Sequence, residues 1–256
     1  MKKIFPLERK DQILDLITRK GRITVDELID IFKVSGATIR RDLEFLEGQG
    51  LIARAHGGAM SKSRVSLEPD FFEEKEKFLE EKKRIGQEAA KLIEEGEVIF
   101  LEASTTVLGL ARNLPNHKNL TVVTNSLDIA QELGGKEGIT LIITGGSPGR
   151  RTRALIGPLT EATLSQMRID KAFMGVSALD LTYGIMMPTL EEAETRKKIV
   201  KASNKIIVLS DHSKFGKQSF ACVSPLQSID ILITDRGIPE KMTVALERLG
   251  IEVRIV

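Results

Sequence analysis

The 256-residue chain contains one cysteine, Cys222, so no disulfide can close within it. No histidine or carboxylate stands near it in sequence as an activating partner, and it reads as a small, half-buried side chain, not a nucleophile. Three histidines, His56, His117 and His212, lie far apart and lack metal-ligand spacing, so no metal site and no cofactor is expected. No run of about 18 apolar residues occurs, which excludes a membrane-spanning helix. The basic start Met1-Lys2-Lys3-Ile4-Phe5-Pro6 meets further charges within a few positions, leaving no signal-peptide core, and a cytoplasmic protein is expected. The formal net charge is only +2, so a polyanionic partner cannot be read from overall charge and must rest on local features. Internal repeats and low-complexity tracts are also missing.

What remains is an ordinary globular composition, 41% hydrophobic and 29% charged. The length suits a small domain plus a medium one. Pattern divides the chain into a helical segment over 1–59, a charge-rich linker over 60–82 and an α/β domain over 83–256. The fold class expected is an N-terminal winged helix-turn-helix plus a larger C-terminal α/β domain with a mainly parallel sheet.

In the first segment a helix runs from Pro6 to Arg19, with Ile13, Leu14, Leu16 and Ile17 as its apolar stripe and Gly21 as its stop. Thr24-Val25-Asp26-Glu27 is a capping box opening a second helix, with Leu28, Ile31 and Phe32 expected as its buried face. A tight turn at Lys33-Val34 leads to Ser35, an N-cap for a third helix whose Ile39, Leu43 and Leu46 make one stripe. Gly50 ends it, and Leu51 to Ala59 reads as a strand, a glycine turn and a return. A helix of this kind fits the major groove with its first residues at the base edges. Ser35, Thr38, Arg40 and Arg41 are the candidates there, and Arg54, His56, Gly57 and Gly58 on the hairpin would meet flanking backbone or minor groove. An Arg-Arg pair also suits a merely solvated face, and residues 1–65 hold 13 basic and 9 acidic side chains, a modest field. The combination of two short helices, a tight turn, a cationic helix start and a Gly-Gly wing favours DNA.

Residues 9 to 59 resemble the DeoR/GlpR-type bacterial regulators, through Arg9, Ile13, Leu28, Phe32, Val34-Ser35, Thr38-Ile39-Arg40-Arg41-Asp42-Leu43, Leu46, Gly50-Leu51, Arg54 and His56-Gly57-Gly58-Ala59. The resemblance implies a winged helix with its third helix in the major groove, and repression of an operon for sugar or polyol use. Asp42 reads as structural, because a carboxylate there repels phosphate unless an arginine pairs with it.

Beyond residue 83, strands are expected at Val98–Leu101, Leu120–Val123, Thr140–Ile143, Lys171–Met174, Lys205–Leu209, Ile229–Thr234 and Glu252–Ile255, mostly with helices between. Such alternation argues for a largely parallel sheet covered on both faces, with ligands beyond the strands' carboxyl ends. There stand Glu102-Ala103-Ser104-Thr105-Thr106, then Thr124-Asn125-Ser126, then Gly145-Gly146 followed by Arg150, Arg151 and Arg153, and finally Asp211-His212-Ser213-Lys214. Hydroxyls, amides, glycines and an ammonium on one rim suit a small anionic polyol. Ser104 and Ser126 also suit plain N-caps, and Gly145-Gly146 a simple turn.

This domain resembles ribose-5-phosphate isomerase and its relatives, through Ser104-Thr105-Thr106, Thr124-Asn125-Ser126, Gly145-Gly146, Gly157, Asp170-Lys171-Ala172-Phe173-Met174-Gly175, Gly184, Glu192-Ala193 and Asp211-x-Ser213-Lys214-Phe215. The resemblance implies a sugar phosphate effector that weakens DNA binding, its phosphate held by Ser104, Thr105 and Thr106 with help from Lys214. Thr124, Asn125, Ser126, Gly145, Gly146 and Gly175 complete the expected effector site. Glu102-Ala103 departs from an Asp-x-Gly pattern, Ala178 stands where Gly is common and Arg196 where Lys is common, which bears on the sugar's identity. The rival reading is a sugar-phosphate isomerase-like enzyme. The related isomerases carry an Asp-Gly-Ala-Asp-Glu segment where this chain has Met174-Gly175-Val176-Ser177-Ala178, so the carboxylates that would serve as general base are gone and no catalytic residue is assigned. A homodimer or homotetramer is expected to present paired winged helices to operator DNA, with a helix around Phe71 to Ile93 linking the domains.

Overall fold

The computed structural model describes residues 6–20, 22–48, 51–55, 57–61, 65–66, 71–114, 119–149 and 152–256. Gly21, Gly50, His56, His117, Arg150 and Arg151 lie outside the described residues. The chain divides into two units, Met1–Leu67 and Glu68–Val256.

The first unit is built from α1 (Pro6–Lys20), β1 (Arg22–Thr24), α2 (Val25–Phe32), α3 (Gly36–Gly48), β2 (Ile52–Ala55) and β3 (Gly58–Ser61). The capping box forms as its spacing predicts: Glu27 N–H donates to Thr24 Oγ1 and Thr24 N–H donates to Glu27 Oε2. The buried face of α2 differs from expectation. Val25, Leu28 and Phe32 point inward, while Ile31 is 48% exposed. At 3.6 residues per turn Ile31 sits roughly 95° around the helix from the centre of that face. Lys33 ends α2 in the left-handed region, its N–H returning to the Ile29 carbonyl. β3 pairs antiparallel with both β1 and β2, placing Thr24 and Ala55 opposite Gly58. A Cβ on Gly58 would collide with the Ile23 carbonyl, so the wing closes on β1 only because residue 58 is glycine. Ile13, Ile17, Leu28, Ile39, Leu43 and Ile52 fill the core between helices and sheet.

The second unit starts earlier than expected. Residues 71–82, read from the sequence as linker, form α4 (Phe71–Lys75) and the start of α5 (Leu79–Ala90), with Phe71 and Lys82 buried. The two helices are separate because Phe78 takes a left-handed conformation between them. A seven-stranded sheet follows: β4 (Val98–Leu101), β5 (Leu120–Thr124), β6 (Ile139–Ile143), β7 (Ile169–Met174), β8 (Ser203–Ser210), β9 (Ile231–Thr234) and β10 (Glu252–Ile255). Its order is β10-β9-β8-β7-β4-β5-β6, and every pair is parallel. Side chains alternate between faces. Ile99 and Leu101 pack with Ile85 of α5, with Leu110 of α6 (Thr105–Arg112) and with Ile129 of α7 (Leu127–Leu133). Phe100 packs instead with Leu164 of α8 (Pro158–Ser165), Ile199 of α9 (Leu190–Ala202) and Leu246 of α10 (Glu240–Arg248).

The chain winds outward from β4 through β5 to β6, returns to the other side of β4 as β7, and winds outward again. The order therefore reverses between β4 and β7, and loops leaving these neighbours part at their carboxyl ends to open a crevice. A small antiparallel sheet of Ala178–Asp180, Gly184–Met187 and Ala221–Ser224 lies after β7, unforeseen in the sequence. On its third strand Ala221 and Val223 point inward and Cys222 outward, so the thiol is exposed, not half-buried.

Candidate functional site

On α3 the polar first turn is ordered from within. Ser35 Oγ accepts the Thr38 N–H and lies 2.9 Å from Thr38 Oγ1. Arg40 and Arg41 are exposed. Asp42 turns the other way: its Oδ2 accepts Arg9 Nε at 2.6 Å in a buried pair. The acidic neighbour of the two arginines is thus neutralised inside the unit, and the outward start of α3 carries cations and hydroxyls. Arg54 sits 3.4 Å from Glu44, an exposed pair worth at most about 1 kcal/mol, which a phosphate can replace. The Gly57 carbonyl accepts the Val25 N–H and fixes the wing turn to the start of α2.

In the second unit, a small cavity of about 70 Å³ opens at the β4/β7 reversal. It is lined by Ser104, Thr105 and Thr106 after β4, Gly175, Val176 and Ser177 after β7, and Lys214 after β8. Ser104 caps α6, accepting the N–H groups of Thr106 and Val107, so the helix start is aimed at the cavity with the partial positive charge of its N-terminus. A Cβ on Gly175 would strike the Ser104 side chain, so the two loops close on each other only with glycine there.

Beneath the cavity lies a buried ionic floor. Glu102 is 0% exposed; its Oε1 is 2.5 Å from Arg196 Nη2 and its Oε2 accepts the Gly175 N–H at 3.1 Å. Burial pushes the Glu102 carboxyl up to about 7, against the pull of Arg196 and the Gly175 N–H, and Glu192 adds to the rise. Arg196 is 3% exposed and its Nε has no hydrogen-bond partner among the described residues. Glu192, 1% exposed, has two carboxylate oxygens without hydrogen-bond partners among the described residues. At the wall, Lys214 Nζ meets Glu74 Oε2 of α4 at 2.5 Å. Burial tends to raise Glu74, but Lys214 and Lys77 outweigh it and bring the carboxyl from 4.5 to about 2. Lys82 donates to the Glu74 carbonyl, and the Phe78 ring meets His212 edge-on at 4.7 Å. His212 is in turn braced by Asp235, which accepts its backbone N–H at 2.7 Å and lies 2.8 Å from its Nδ1.

Five residues expected in the effector site have other work. Thr124 is buried and donates to the Leu101 carbonyl. Asn125 accepts the Ala103 N–H and donates to the Leu155 carbonyl, spending both ends of its amide on neighbouring loops. Ser126 caps α7 through Ile129 N–H. Gly145 and Gly146 form a turn whose Gly145 carbonyl accepts from Thr160 Oγ1. These residues sit after β5 and β6, one and two strands away from the reversal, which is why they scaffold the loops and do not line the cavity. Arg153 follows the same turn and donates to Asp128. Sequence reasoning missed Phe71, Glu74, Thr152, Val176, Ser177, Met187 and Arg196, all of which line the cavity. For Val176 and Ser177 a signal existed, since they directly follow the β7 strand.

A larger hollow runs from Gly146 to Glu194, but its lining includes Glu161, Glu191, Glu192 and Glu194 and, among the described residues, no basic side chain. Coulomb repulsion excludes phosphate there. Among the described residues no group of three or more metal-ligating side chains occurs, and no helix is long and apolar enough to cross a membrane.

Comparison with known proteins gives two family matches, a DeoR-like helix-turn-helix domain over residues 9–65 and a DeoR C-terminal sensor domain over residues 77–236. The HTH-type transcriptional regulator GlpR of Haloferax volcanii is 36% identical over 98% of this chain and 98% of its own length. The glycerol-3-phosphate regulon repressor of Escherichia coli strain K12 is 34% identical over 91% of this chain and 92% of its own length. Among solved structures, ribose 5-phosphate isomerase A of Methanocaldococcus jannaschii is 21% identical over 52% of this chain and 53% of that one, with a TM-score of 0.38.

Proposed function

The chain belongs to the DeoR family of transcriptional regulators, and from that premise we propose that it is a repressor of a sugar or polyol utilisation operon, released from its operator by a phosphorylated sugar or polyol. Its relatives are regulators and not enzymes. The helix-turn-helix domain binds DNA, with Ser35, Thr38, Arg40 and Arg41 at the groove and Arg54, His56, Gly57 and Gly58 on the flanking wing. One winged helix reads one half-site, so a homodimer or homotetramer is the working unit of this reading.

A single observation carries the effector class: the hydroxyl-rich start of α6 and the Lys214 ammonium face one cavity at the reversal of strand order. Helix N–H groups, hydroxyls and an ammonium are the donors a phosphate monoester takes. Ser104, Thr105, Thr106, Gly175 and Lys214 are the proposed contacts. That the Escherichia coli relative is a glycerol-3-phosphate regulon repressor supports a phosphorylated polyol or sugar here.

The test is thermal unfolding against pairs of phosphorylated compounds and their unphosphorylated parents. Ligand at about 100 times its Kd adds roughly 2.7 kcal/mol and should move Tm by several degrees. A shift with a phosphorylated compound and none with its parent is the expected result. Equal shifts with both, or with the parent alone, would remove phosphate from the reading.

A further inference from the structure

The contact between Glu74 and Lys214 has no place in a resting phosphate site. Lys214 is the cation assigned to the effector's phosphate, yet a carboxylate already holds it at 2.5 Å, and both side chains line the same cavity. We propose that Glu74 stands in for the effector's phosphate on Lys214 and is exchanged for it on binding, so that Glu74 sets the selectivity of the cavity for a dianionic phosphoryl group. This rests on the cavity being the effector site, as read above.

Local charge supports an exchange. Lys77, Lys82, Lys214 and Lys217 interact with the cluster, against the two carboxylates Glu74 and Asp211. Four cations against two anions leave a positive surplus even with Glu74 in place. A phosphate monoester brings a charge between −1.5 and −2 at pH 7 and three acceptor oxygens. It therefore outweighs a single carboxylate on Lys214, whereas a neutral sugar has no charge to offer and a sugar acid only matches Glu74. Glu74 can leave without unfolding its helix, because α4 is also anchored by Phe71, which is buried among Ile85, Val107 and their neighbours. What the exchange releases is the side-chain tether at the end of α4, the first helix of the second unit.

The experiment titrates the full chain with inorganic phosphate and with acetate, comparing the parent with Glu74→Gln, Glu74→Ala and Lys214→Ala. A single cooperative melt in the absence of ligand identifies the variants that fold. The expected result is phosphate affinity raised about 10-fold in both Glu74 variants and lost in Lys214→Ala, with acetate binding gained only when Glu74 is removed. Phosphate binding that needs Lys214 but is the same with and without Glu74 would overturn the exchange and leave the cavity reading standing. Phosphate binding to none of the proteins would remove both. Hydrogen exchange of the parent needs no variant: phosphate should speed exchange over residues 71–78 while slowing it at the start of α6. Slower or unchanged exchange over 71–78 in phosphate would count against the exchange.

Discussion

Glu102 and Arg196 form an ion pair with almost no access to water, and its energetics depend on which protons are present. Glu102 has its carboxyl raised from 4.5 to about 7 by burial, so the folded chain holds a proton there that the unfolded chain has lost. Between about pH 4.5 and pH 7 stability therefore falls as pH rises, by roughly 3 kcal/mol in all, and levels off above pH 7. Glu102→Gln keeps the shape and removes the titration. Urea midpoints at pH 5 and pH 7.5 should differ less in this variant than in the parent, and an unchanged difference would assign the slope to another group. Legibility at this scale followed distance along the chain. Ser104 capping Thr106 is a local event that spacing reveals. Glu74 meeting Lys214, 140 positions away, needs the fold to exist first. Arg196 stood out in the sequence only as an arginine where relatives carry lysine, without a hint that Glu102 was its partner.

At the scale of elements, α3 separates its duties by face. Its inward side holds Asp42 for Arg9, and its outward side shows Arg40 and Arg41. Two substitutions should part company accordingly. Arg9→Met leaves the Asp42 carboxylate buried and unpaired, and should cost about 3 kcal/mol of stability in the first unit. Arg41→Ala should leave Tm unchanged, weaken operator binding and lower the salt slope by roughly 1 if it meets a phosphate. Circular dichroism melts and gel shifts at several salt concentrations measure both; a melt lowered by Arg41→Ala would place that residue in the packing. The helices of this unit were readable because stripes and caps repeat within one turn. β1 was not, since three residues show no alternation and its pairing depends on Gly58 approaching Ile23 from 35 positions away.

For the molecule as a whole, the seven strands of the large sheet were visible as apolar runs, but their order was not. Order decides which loops meet. Four strand-end loops looked equivalent in the sequence, and the reversal between β4 and β7 selects the Ser104–Thr106 loop and leaves Asn125 and Gly145 as supports. The small antiparallel sheet escaped notice because Gly184–Met187 is short and apolar without alternation. Division of labour between the units makes a prediction: Thr105→Ala and Lys214→Ala should bind operator as the parent does but fail to let go when effector is added. Fluorescence anisotropy on labelled operator checks this, and normal release by both variants would move the effector site elsewhere.

Asn125 has a consequence for time. By clamping Ala103 on one side and Leu155 on the other, it holds the loop before α6 in shape whether or not anything is bound. A ligand arriving there meets a loop already in place, so its association carries no cost of ordering that loop. The speed with which such a regulator follows falling effector levels is then not slowed by any refolding of that loop.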